Sequence, residues 1–101
     1  MSAAESWAAL LEHLAARYAE AGTPEGLAAL RCRAVASVAE HLAPLTPEQV
    51  GPGDLLAALE VLRLDTYQWH LHRLALADAL PAGAVLPTHR PPLPTTARHP
   101  R

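Results

Sequence analysis

Neither glycine nor proline occurs in the 27 residues from Asp54 to Leu80. With leucines recurring at three- and four-residue steps, this stretch reads as helix, and as one helix it would be about 40 Å long. Its apolar residues fall on two stripes. One holds Leu55, Leu59, Leu62, Trp69, Leu76 and Leu80; the other holds Leu56, Leu64, Tyr67, Leu71 and Leu74. Asp65, Gln68 and His72 share the remaining, wet face. A helix apolar over so wide an arc needs neighbours on two sides: the helices upstream, or a second copy of the chain. The alternative is a break at Leu64, with Asp65 capping a new helix and Gln68 at the capping-box position.

Two more helices precede it. Trp7, Leu10, Leu11, Leu14 and Tyr18 mark one face of a helix over 3–21. Ser2 and Glu5 have the spacing of a capping box at its start, and Gly22 can end it at positive φ. Thr23-Pro24 opens the second, 24–42, with Pro at the first helical position. Its large stripe is Leu27, Leu30, Ala34, Val38 and Leu42; a second, small-residue face holds Ala28, Cys32, Val35, Ala36 and Ala39. Pro44 stops it. Thr46-Pro47-Glu48-Gln49 reads as a short helical turn, broken by Gly51-Pro52-Gly53.

The chain has 101 residues, enough for one small domain. All eight basic side chains are Arg; Lys, Asn, Ile and Phe are absent, as a GC-rich genome would produce. Residues 1–80 carry five Arg and ten acids, a charge of −5, while 81–101 carry three Arg and no acid, +3, which together give −2. No run is apolar enough for a membrane span, and no basic-then-apolar leader opens the chain. The expected compartment is the cytoplasm. Pro81 ends the last helix, and the Pro/Arg-rich remainder is expected to be extended or disordered.

The usual catalytic and metal patterns are missing. His70 and His72 lie about 200° apart on a helix, and no His-x-x-x-His or Glu-x-x-His pair presents two ligands on one face. Cys32 stands between Arg31 and Arg33, but on the Ala-rich packing face, where a thiol behaves as a small hydrophobe. Ser2, Ser6 and Ser37 are the only serines, and none lies on a Gly-flanked elbow. Gly51-Pro52-Gly53 lacks the Lys and strand of a phosphate loop. No cofactor and no metal are expected.

Two segments invite comparison with recognition modules. Ala57-Ala58-Leu59-Glu60-Val61 followed by Thr66-Tyr67-Gln68-Trp69 loosely resembles the turn and reading helix of a helix-turn-helix. It departs from that pattern at Glu60, where a turn glycine is common, at apolar Leu62 and Leu64, and at Asp65, which would face phosphate. The acidic body adds repulsion, so nucleic acid is not the expected partner. Arg90-Pro91-Pro92-Leu93-Pro94 has the form of a polyproline ligand for an aromatic groove.

The expected fold is all-α: a small three-helix bundle over 1–80 with a long third helix, followed by the tail. The expected function is that of a non-catalytic interaction or regulatory protein. It would bind a protein partner, or a second copy, through Tyr67, Trp69 and Leu71 on the third helix and Arg90, Pro91 and Pro94 in the tail. The alternatives are an accessory subunit of an enzyme complex and a small helix-turn-helix-like regulator.

Overall fold

A computed structural model describes residues 2–80. Among these, every regular element is helical: α1 (Ala3–Glu20), α2 (Glu25–Glu40), a 3-10 turn (Pro47–Gln49), α3 (Pro52–Val61) and α4 (Thr66–Ala79). The all-α class is as expected; the count is four helices rather than three. The expected disordered tail, with Arg90, Pro91 and Pro94, lies outside the described residues.

The first helix follows its sequence signals. Ser2 Oγ accepts from the Glu5 N–H at 3.1 Å, and Glu5 Oε1 accepts from the Ser2 N–H at 2.9 Å. That backbone donor holds the Glu5 carboxyl below its ordinary pKa. Gly22 takes φ 76°, where a side chain would be strained. The start of α2 differs from expectation. Pro24 sits at the N-cap, Glu25 opens the helix, and Thr23 makes no cap. The helix ends at Glu40, two residues early, although Leu42 is still buried in the following turn.

The long third helix does not form. Leu62 to Asp65 make a turn, and Arg63 adopts φ 53°. Asp65 then caps α4, its Oδ1 accepting from the Gln68 N–H at 2.7 Å. A strong Asp cap supplies a partner that the continuous helix would not. The Gly51-Pro52-Gly53 break is also displaced: Pro52 is the first residue of α3, and Asp54 Oδ2 accepts from the Gly51 N–H at 2.9 Å.

The core explains the composition. Helix α2 packs against both α1 and α4 and touches α3. A helix flanked on two sides must bury more than one face, so Val35 and Ala39 are buried as well as Ala34 and Val38. Leu14, Leu55, Leu59, Leu76, Val35 and Val38 are the largest fully enclosed side chains. The Trp7 indole donates to the Leu45 carbonyl at 2.8 Å, which ties the link after α2 to α1.

Candidate functional site

Helix α4 carries most of the sequence-predicted surface, and the structure divides it. Tyr67 is 67% exposed, whereas Trp69 is 2% and Leu71 8% exposed. Trp69 and Leu71 are therefore corrected from contact residues to interior ones. Trp69 lies on the α4 face that meets the core, and two residues along a helix turn a side chain by about 200°. His72 is likewise not on a wet face. It is buried, and its Nδ1 donates to the Gln68 carbonyl at 2.7 Å. A Trp69 so enclosed is not available to read bases, and the exposed start of α4 begins with the acid Asp65.

What α4 shows to solvent is Thr66, Tyr67, His70, Leu74 and Ala77. None is an acid or an arginine. The His70 ring stands edge-on to Trp69, with centroids 5.3 Å apart and planes at 89°. That contact anchors a surface side chain on a buried one.

A second feature was not legible beforehand. The C-terminal ends of α1 and α4 are latched by polar groups some 60 positions apart. The Tyr18 hydroxyl donates to Asp78 Oδ2 at 2.7 Å, and Arg17 Nη1 donates to the Asp78 carbonyl at 2.7 Å. The Arg31 guanidinium lies over the Tyr18 ring, 5.5 Å from its centroid, and the buried Arg31 Nε has no hydrogen-bond partner among the described residues. The ring face supplies the missing negative potential. Burial, then the hydrogen bond and charge of Asp78, push the Tyr18 phenol up to about 12. An open depression of about 520 Å³ lies here, lined by Arg17, Tyr18, Glu20, Thr23, Arg31 and Asp78. Two cations meet two carboxylates, so the depression has no net charge with which to select an ion.

The other candidate chemistry is quiet. Burial raises the Cys32 thiol, which lowers its thiolate fraction and its reactivity. Among the described residues no three His, Cys, Asp or Glu side chains converge as metal ligands. Nor, among them, is any helix long and apolar enough to cross a membrane.

No family model, curated protein or solved structure matches this chain.

Proposed function

We propose that the chain is a non-catalytic interaction or regulatory protein of the cytoplasm, and that it docks a protein helix on the outer face of α4. One observation carries the reading. Tyr67 stands two-thirds exposed beside Leu74, itself 42% exposed, on a helix whose opposite side is fully used by the core. Aromatic side chains bury a large area with few rotatable bonds and dominate protein interfaces. An exposed helical face normally carries charge to remain solvated, and between Asp65 and Asp78 the exposed residues of this one include neither an acid nor an arginine. Trp69 plays no part in docking here; it holds the helix that presents Tyr67.

Paired variants test this. Trp69→Ala should cost about 3–5 kcal/mol of stability, and Tyr67→Ala only about 0.5 kcal/mol. A photo-cross-linking residue placed at Tyr67 should form protein adducts in the cell, and the same residue at exposed Glu12 on α1 should not. Equal adducts at both sites, or a Tyr67→Ala variant as unstable as Trp69→Ala, would overturn the reading.

A further inference from the structure

We draw no further inference here: the strongest candidate, the open depression between the C-terminal ends of α1 and α4, has Arg17 and Tyr18 already bound to Asp78 and Arg31 already over the Tyr18 ring, and nothing in the structure shows what would fill it.

Discussion

Tyr18 is packed as a hydrophobe and hydrogen-bonded as a phenol, and both roles oppose its ionisation. With its folded pKa raised to about 12 from an ordinary value near 10, the neutral form is favoured by folding. The resulting stability is fully present below about pH 10 and is lost as pH rises through about 12. Denaturant unfolding at stepped alkaline pH should show that loss in the native chain and a smaller one in Tyr18→Phe. At neutral pH the same variant should be less stable by about 1–2 kcal/mol, since Asp78 loses its donor in a partly buried place. An equal alkaline loss in both chains would assign it to other groups. The apolar periodicity of α1 finds Tyr18, but nothing in the sequence near residue 18 points to Asp78. A contact between distant positions is set by how two helices meet, and that is not encoded locally.

The turn between α3 and α4 shows why a helical element can hide its own end. Helices commonly stop at glycine, because the residue after the cap takes positive φ. Here Arg63 does so at φ 53°, a conformation that costs a residue with a Cβ about 1–2 kcal/mol. Punctuation by Gly and Pro therefore runs past the turn, and only Asp65 with Gln68 marks it. Arg63→Gly should raise stability by about 1 kcal/mol, and Asp65→Ala should lower it by about 1 kcal/mol by removing the cap on Gln68. Thermal melts of the two variants should move in opposite directions. A stabilised Asp65→Ala would mean that α3 and α4 prefer to run on as one helix. The break also makes the two stripes of the 54–80 stretch separable, since a turn lets α3 and α4 aim their apolar sides independently.

At the scale of the molecule, α2 lies between α1 and α4, and the alanines make this close packing feasible. Ala34, Ala39, Ala58 and Ala75 are all buried, with Ala75 fully enclosed. Ala75→Leu should overpack the core and cost about 1–3 kcal/mol, read from the shift in denaturant midpoint. A neutral or stabilising result would show space beside α4 that the packing described here does not have. The same crowding leaves Tyr67 and Leu74 outside: with Trp69, Ala75 and Leu76 turned into the core, no other helix among the described residues lies against the far side of α4.

Periodicity, caps and breakers are local, and they determined most of what is local in this chain: the all-α class, the extents of α1 and α2 to within about two residues and the turn at Thr46–Gln49, while the cap at Asp65 stood only as the alternative to one continuous helix. They also determined that the helix around residues 64–74 has more apolar surface than one neighbour can cover. Tertiary structure alone decided which side of that helix turned inward. Spacing places Tyr67, Trp69 and Leu71 on apolar stripes without ranking them. Packing against α2 enclosed Trp69 and left Tyr67 in solvent, because a stripe is buried only where another element meets it.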